Sequence, residues 1–86
     1  MTADTALRLK RLKIRSWRRG IREMDMILGP FCDGCAASLT AAELDLFEAM
    51  LGENDQDLYL WVSAQTPPPP KYSELIETIR IHTGAN

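Results

Sequence analysis

The chain has 86 residues, of which 45% are hydrophobic and 26% are charged, and its formal net charge is −2. A chain of this length folds around one small core, which favours an interaction module over an enzyme that encloses a cofactor. No apolar run approaches the roughly 18 to 20 residues that span a membrane. We therefore expect one domain over residues 1–86, with its core at about residues 5–83, and no membrane insertion.

Charge is distributed unevenly along the chain. Residues 1–22 carry eight basic side chains and one acidic side chain, a net charge of +7, whereas residues 23–86 sum to −9. This asymmetry indicates a partner or a charged surface rather than a particular fold. The basic N-terminus lacks the apolar block of a secretory signal, and two cysteines are too few for a disulfide framework. We expect a cytoplasmic protein of bacterial type, or one of the mitochondrial matrix if the source is eukaryotic.

The first predicted helix covers residues 5–19, which contain no glycine or proline and many good helix formers. Its apolar residues lie on two arcs of the helix surface, with Ala6, Leu7, Ile14 and Trp17 on one and Leu9 and Leu12 on the other. Because arginines surround both arcs, we expect a helix that is only partly packed.

A second helix follows from Gly20, where the apolar spacing is more regular. One face carries apolar residues three, four or seven positions apart, namely Ile21, Met24, Ile27, Leu28 and Phe31. Proline lacks the amide hydrogen and its ring crowds the preceding turn, so Gly29–Pro30 predicts a kink. The helix should then continue to about Ala37.

The third helix has the clearest start signal in the chain. Thr40 and Glu43 form a capping box, and Leu39 and Leu44 flank it as a hydrophobic staple. Gly52 should end this helix in the left-handed conformation.

The fourth helix is capped by Asn54 or Asp55, and Asp57 in its first turn is favoured at the positive N-terminal end. Its inner face consists of Leu58, Trp61 and Val62.

Four consecutive prolines, residues 67–70, predict a stiff polyproline segment. The segment could be a ligand for proline-binding domains, but a rigid connector that places proline in the first turn of the next helix is the better interpretation. The fifth helix ends near Thr83–Gly84, and its buried residues are Tyr72, Leu75, Ile76 and Ile79. Five short helices with no strand candidate predict an all-α fold, a small five-helix bundle.

Cys32 and Cys35 have the spacing of a redox dithiol or of half a zinc site. A structural zinc ion needs four ligands, and the chain adds only the distant His82. A thioredoxin-like dithiol follows a strand and begins a helix, whereas this pair is predicted to end one. We interpret both cysteines as incidental and His82 as a surface residue, and we predict no catalytic or metal-binding residues.

The basic first helix has two interpretations. Its Lys and Arg side chains could bind the phosphates of nucleic acid or anionic lipid, or they could dock on an acidic protein surface. A pI of about 5.3 and a single aromatic residue among the arginines, Trp17, argue against nucleic acid. Gly20 and Glu23 also have structural explanations, as the N-cap of the second helix and the third residue of that helix.

The stretch from Ser16 to Phe31 resembles the SdhE family, also called succinate dehydrogenase assembly factor 2. The RGxxE motif of that family is matched by Arg19, Gly20 and Glu23. The resemblance continues through the third and fourth helices and covers about residues 7–80, which makes it more specific than the motif alone. Neither the cysteine pair nor the four-proline run belongs to the family pattern.

The resemblance implies a five-helix assembly chaperone, not an enzyme. Such a protein binds the flavoprotein subunit of succinate dehydrogenase, and in some bacteria that of fumarate reductase, and promotes the covalent attachment of FAD. The bond forms to a histidine of the client in a reaction expected to be autocatalytic, so this chain should hold no cofactor stably. We expect a monomer. The alternative is a small regulatory protein that binds nucleic acid through its first helix.

By the same resemblance, the partner-binding patch consists of Arg19, Gly20 and Glu23, with Ser16, Arg18 and Asp25 beside it. We hypothesise that Gly20 permits a close approach to the client backbone and that Arg19 pairs with a client carboxylate. Glu23 would pair with a client cation or orient Arg19.

Overall fold

The computed structural model describes residues 3–83, which form five helices and contain no strand. The helices are α1 (Ala3–Trp17), α2 (Arg22–Cys35), α3 (Ala41–Leu51), α4 (Asp55–Val62) and α5 (Ser73–Thr83). Two 3₁₀ turns, Ala36–Ser38 and Pro70–Tyr72, follow α2 and precede α5. The predicted all-α, five-helix fold is therefore confirmed.

One hydrophobic core receives side chains from all five helices. The central element is α2, which contacts α1, α4 and α5. The largest apolar and aromatic side chains that are fully buried are Leu12, Met24, Leu28, Phe31, Phe47, Met50, Leu58, Val62, Tyr72 and Ile79. All four predicted core residues of the fifth helix are buried, as expected from their spacing.

Only the smaller of the two apolar arcs of α1 faces the core. Leu12 is buried and Leu9 packs against the core. In contrast, Leu7, Ile14 and Trp17 are 49%, 53% and 40% exposed. The larger apolar arc of α1 therefore lies on the outer surface among the basic residues, and α1 is only partly packed, as predicted.

The second helix differs from its prediction at both ends. It begins at Arg22 after an extended Ile21 (φ −128°, ψ 143°), so Gly20 is not the N-cap and Glu23 is the second helical residue rather than the third. It runs unbroken through Pro30 to Cys35, where the 3₁₀ turn begins. Proline removes one helical hydrogen bond, and burial of Leu28 and Phe31 on either side of it supports the helix there.

Local capping signals were reliable for α3 and α4. The Glu43 amide donates to Thr40 Oγ1 (3.2 Å) and the Thr40 amide donates to Glu43 Oε1 (2.8 Å), which confirms the capping box. Asn54, not Asp55, caps α4 by accepting from the Gln56 amide. The prediction for Gly52 was wrong, because it stays right-handed (φ −83°) where the chain continues directly toward the cap of α4.

The polyproline segment is a connector, as predicted. Pro70 is the first residue of the 3₁₀ turn that leads into α5, and Pro68 and Pro69 are half-buried. The predicted end of α5 at Gly84 lies outside the described residues. No helix within residues 3–83 combines the length and the hydropathy of a bilayer-spanning segment.

Candidate partner-binding site

Two carboxylates hold the connector between α1 and α2. The Arg19 amide donates to Asp25 Oδ1 at 2.6 Å. The next amide, that of Gly20, donates to Asp55 Oδ2 at the start of α4. Both amides belong to the non-helical connector, where no helical carbonyl accepts from them, so the two carboxylates supply their acceptors. The connector is thereby fixed both to α2 and to α4.

The Arg19 side chain is bound within the protein and is only 9% exposed. Its Nε donates to Asp55 Oδ1 at 2.8 Å. Its Nη1 donates to the Leu51 carbonyl at 2.9 Å, and its Nη2 donates to the Glu53 carbonyl at 3.4 Å. A guanidinium is well suited to this position, because the carbonyls at the end of α3 carry partial negative charge. A client carboxylate that paired with Arg19 would have to compete with these contacts, since each of the three guanidinium nitrogens already donates within the protein.

The turn that accepts from Arg19 is itself anchored. The Tyr72 hydroxyl donates to Glu53 Oε2 at 2.9 Å. Burial and this hydrogen bond raise the pKa of Tyr72 above its ordinary value. The phenol therefore remains a hydrogen-bond donor at neutral pH and joins the α3–α4 turn to the base of α5.

Gly20 lies against the carboxylate of Asp55. A Cβ atom built at Gly20 would be 2.7 Å from Asp55 Oδ2, closer than real Cβ contacts come. The φ angle of Gly20 lies outside the left-handed region, so the close contact with Asp55, rather than backbone conformation, favours glycine there. The close approach that Gly20 permits is thus to Asp55 of the same chain.

Ser16 and Asp25 support the site from inside. Ser16 is completely buried, and its hydroxyl donates to the Leu12 carbonyl at 2.7 Å. Asp25 is half-buried and accepts from the Arg19 amide. Ser16, predicted beside the partner-binding patch, thus lies beneath the surface of this fold, where its hydroxyl does not reach solvent.

Arg18 and Glu23 are the predicted site residues whose side chains remain available. Both are exposed. Within residues 3–83, neither side chain forms a hydrogen bond or an ion pair. Glu23 therefore does not orient Arg19, and it makes no capping hydrogen bond. A free cation and a free carboxylate thus flank the fixed connector.

The surface around this connector is basic and partly apolar. Three of the eight basic residues of the N-terminal segment are paired: Arg8 with Asp45 and Glu48, Lys13 with Asp33, and Arg19 with Asp55. The others are exposed and have no partner in the described part of the chain: Lys10, Arg11, Arg15, Arg18 and Arg22. Exposed Ile14, Trp17 and Met26 lie on the same two helices. Such a surface suits docking to an acidic protein patch.

The cysteine pair has the properties of buried structural thiols. Both thiols are free, with Cys32 buried and Cys35 half-buried. Burial raises the pKa of Cys32, although the Ser16 hydroxyl opposes this effect. This direction is opposite to the lowered pKa that activates the thiols of redox dithiols. Residues 3–83 contain no cluster of three or more potential metal ligands, and His82 is exposed as expected.

Asp55 is the site residue that the sequence did not indicate. In the sequence it is one of two candidate caps for α4, and that local role belongs to Asn54. Its contacts are to residues 35 and 36 positions away. Local sequence patterns give no information about contacts at that separation. Nothing in the sequence distinguishes Arg19 from the other seven basic residues of the N-terminal segment as the one that pairs with Asp55.

Comparison with known proteins places this sequence in a family. Residues 10–83 match the family model described as the flavinator of succinate dehydrogenase. The FAD assembly factor SdhE of Haemophilus ducreyi is 43% identical over 75 residues, which cover 84% of this chain and 90% of that protein. SdhE of Francisella tularensis is 36% identical over 64 residues, covering 74% and 67%.

A fungal relative is similar over a smaller share of its length. The mitochondrial succinate dehydrogenase assembly factor 2 of Candida glabrata is 39% identical over 75 residues, which cover 81% of this chain but 49% of that protein. The present chain thus spans about half of the mitochondrial relative. The family match over residues 10–83 confirms the resemblance found in the sequence: this chain belongs to the family of flavinators of succinate dehydrogenase.

Proposed function

We propose that this chain is an assembly factor that binds the flavoprotein subunit of succinate dehydrogenase and promotes covalent attachment of FAD to it. Membership of the flavinator family over residues 10–83 carries this proposal. The flavoprotein of fumarate reductase is a second proposed client, and the chain is proposed to act as a monomer in the bacterial cytoplasm or its mitochondrial equivalent. The nucleic-acid alternative has no support from the relatives.

The proposed contribution of this chain is to select a conformation of the client. Attack of a client histidine on the flavin requires the two groups to be held in a near-attack geometry. A small partner promotes this step by binding preferentially to the aligned client. We propose that the client holds the FAD, and the size of the cavity between α1 and α2 supports this: at about 250 Å³ it is smaller than the roughly 300–1,000 Å³ of small-molecule sites.

The direct test is reconstitution of the apo flavoprotein with FAD, with and without this chain. Covalent flavin is measured by its fluorescence in a denaturing gel. The chain should accelerate flavin attachment at substoichiometric amounts. If the rate is the same without the chain, the proposed function is wrong.

Glu23 is proposed to contact the client. Replacing Glu23 by alanine should slow flavin attachment about tenfold, the effect of losing one charged contact worth about 1.4 kcal/mol. The melting temperature should barely change, because the carboxylate is exposed and makes no hydrogen bond or ion pair within residues 3–83.

Glu74→Ala is the matched control for this change. Glu74 is also an exposed glutamate at the second position of a helix, so both substitutions remove the same favourable interaction with a helix N-terminus. Flavin attachment should be normal in this variant. Equal rates for the two variants would remove Glu23 from the site.

A further inference from the structure

Asp55 connects the α1–α2 connector to the start of α4. One carboxylate oxygen accepts from Arg19 Nε at 2.8 Å and the other accepts from the Gly20 amide. The Asp55 and Arg19 side chains are 15% and 9% exposed. A single carboxylate at the start of α4 thus binds two consecutive residues of the α1–α2 connector.

The contacts with Asp55 explain why an arginine and a glycine are adjacent at positions 19 and 20. Arg19 fills the space between α3 and α4, where the Leu51 and Glu53 carbonyls accept from its remaining nitrogens. A side chain at Gly20 would displace the Asp55 carboxylate, because its Cβ would lie 2.7 Å from Asp55 Oδ2. Both residues are therefore matched to Asp55: the Arg19 side chain is largely buried against it, and the Gly20 backbone binds it at an exposed position.

The residues that remain free lie on each side of this fixed point. Arg18 precedes it and Glu23 follows it, and both are exposed. Arg18 belongs to the connector itself, whereas Glu23 lies in the first turn of α2, which begins where the connector ends. A connector that moved by a fraction of a helical turn would therefore present Arg18 at a different position relative to Glu23.

We propose that Asp55 is a positioning residue for client recognition: through Arg19 Nε and the Gly20 amide it fixes the connector, and with it the position of Arg18 relative to Glu23. This inference rests on the proposed function. It assigns the arginine and the glycine of the motif an internal role and leaves the direct contact to the glutamate and its exposed neighbours.

Asp55→Asn is the primary test. Asparagine has the same shape, but its amide nitrogen donates, so the side chain cannot accept from both Arg19 Nε and the Gly20 amide. Flavin attachment to the client should slow about tenfold or more, as expected when a contact is misplaced by about 1 Å. Hydrogen exchange of the Gly20 amide should accelerate relative to that of the Glu43 amide, which a different side chain caps.

A double-mutant cycle separates positioning from simple destabilisation. If Asp55 acts by placing Arg18 relative to Glu23, then Asp55→Asn should slow flavin attachment much less in a Glu23→Ala background than in the wild type. If the fold-losses of the two single variants multiply in the double variant, the two residues act independently, and Asp55 does not act through Glu23. Wild-type flavin attachment by Asp55→Asn alone, at an equal folded fraction, would also overturn the proposal.

Two further variants keep the test decisive. Asp45→Asn removes another carboxylate that pairs with an α1 arginine, Arg8, and should leave flavin attachment unchanged.

Gly20→Ala keeps both charges but displaces the Asp55 carboxylate, so it should reproduce the loss if Asp55→Asn is poorly folded. Normal flavin attachment by a folded Gly20→Ala variant would contradict the proposal. If the wild-type chain itself fails to accelerate attachment, the proposed function fails, and Gly20 exchange still reports whether Asp55 holds the connector.

Discussion

At the level of single residues, Gly29 shows how closely α1 and α2 pack. It is buried in the interior of α2, where a Cβ atom would overlap the indole ring of Trp17. That ring is held by a hydrogen bond from Trp17 Nε1 to Asp33 Oδ2 at 3.1 Å. Glycine inside a helix costs about 0.5–1 kcal/mol relative to alanine. The cost is offset here by the contact that the absence of a side chain allows.

Gly29→Ala should therefore destabilise the protein in spite of its better helix propensity. The indole must leave its place and lose its bond to Asp33, and we expect a net loss of about 1 kcal/mol in the free energy of unfolding. In a Trp61→Phe background, where Trp17 is the sole tryptophan, its fluorescence emission should shift to longer wavelength.

The control for this change lies on the same helix. At Gly34 a new Cβ would meet only the end of the His82 side chain, at 3.2 Å. Gly34→Ala should be neutral or stabilise by up to about 1 kcal/mol. If Gly29→Ala is as stable as Gly34→Ala, the indole contact contributes nothing.

At the level of helices, the end of α4 carries a conformational cost. Ala64 has a φ of 63°, the left-handed conformation that side chains disfavour. Its amide donates to the Trp61 carbonyl and the Gln65 amide donates to the Leu60 carbonyl, the hydrogen bonds of a Schellman motif. In such a motif this position is usually glycine.

Ala64→Gly should raise the free energy of unfolding by about 0.5–1 kcal/mol, because relief of the left-handed strain exceeds the added entropy of the unfolded chain. For a domain of this size the melting temperature should rise by about 2–8 °C. Ala49→Gly, at an exposed position inside α3, should instead lower stability by about 1 kcal/mol. A lower melting temperature for Ala64→Gly would show that the motif is not strained in solution.

Helix ends also show how much of this fold can be predicted from sequence. The capping box of Thr40 and Glu43 was predicted correctly because its partners are three residues apart. The left-handed residue was not, since Gly52 is right-handed and Ala64 is left-handed. The handedness of a helix end depends on where the chain must go next, and that direction is set by packing. The local sequence contains little information about it.

The candidate site, too, could be predicted from the sequence only in part. The resemblance located the segment around Arg19, Gly20 and Glu23, but it did not distinguish side chains that face a partner from those that face the fold. That distinction depends on Asp55, which contacts Arg19 across 36 positions of sequence. A long-range ion pair leaves no periodic pattern, so only the folded structure shows that Arg19 is already paired.

At the level of the whole molecule, the uneven charge of the chain persists on the folded surface. Five basic side chains of the N-terminal segment, Lys10, Arg11, Arg15, Arg18 and Arg22, are exposed and unpaired within residues 3–83. Eight of the twelve acidic residues lie beyond α2 in the sequence, so positive and negative charge are unevenly distributed although the net charge is only −2. Charge arranged in this way accelerates encounter with an oppositely charged partner more than it strengthens the final complex.

Association with the client flavoprotein should therefore depend strongly on salt. The screening length falls from about 10 Å at 0.1 M to about 3 Å at 1 M ionic strength. Stopped-flow measurements should show an association rate constant about tenfold lower at high salt, with a smaller change in the dissociation rate. Arg11→Gln, which removes one exposed charge of α1, should reduce this salt dependence, whereas Lys71→Gln outside the basic segment should not. An association rate that does not respond to salt would mean that the client surface facing α1 is not acidic.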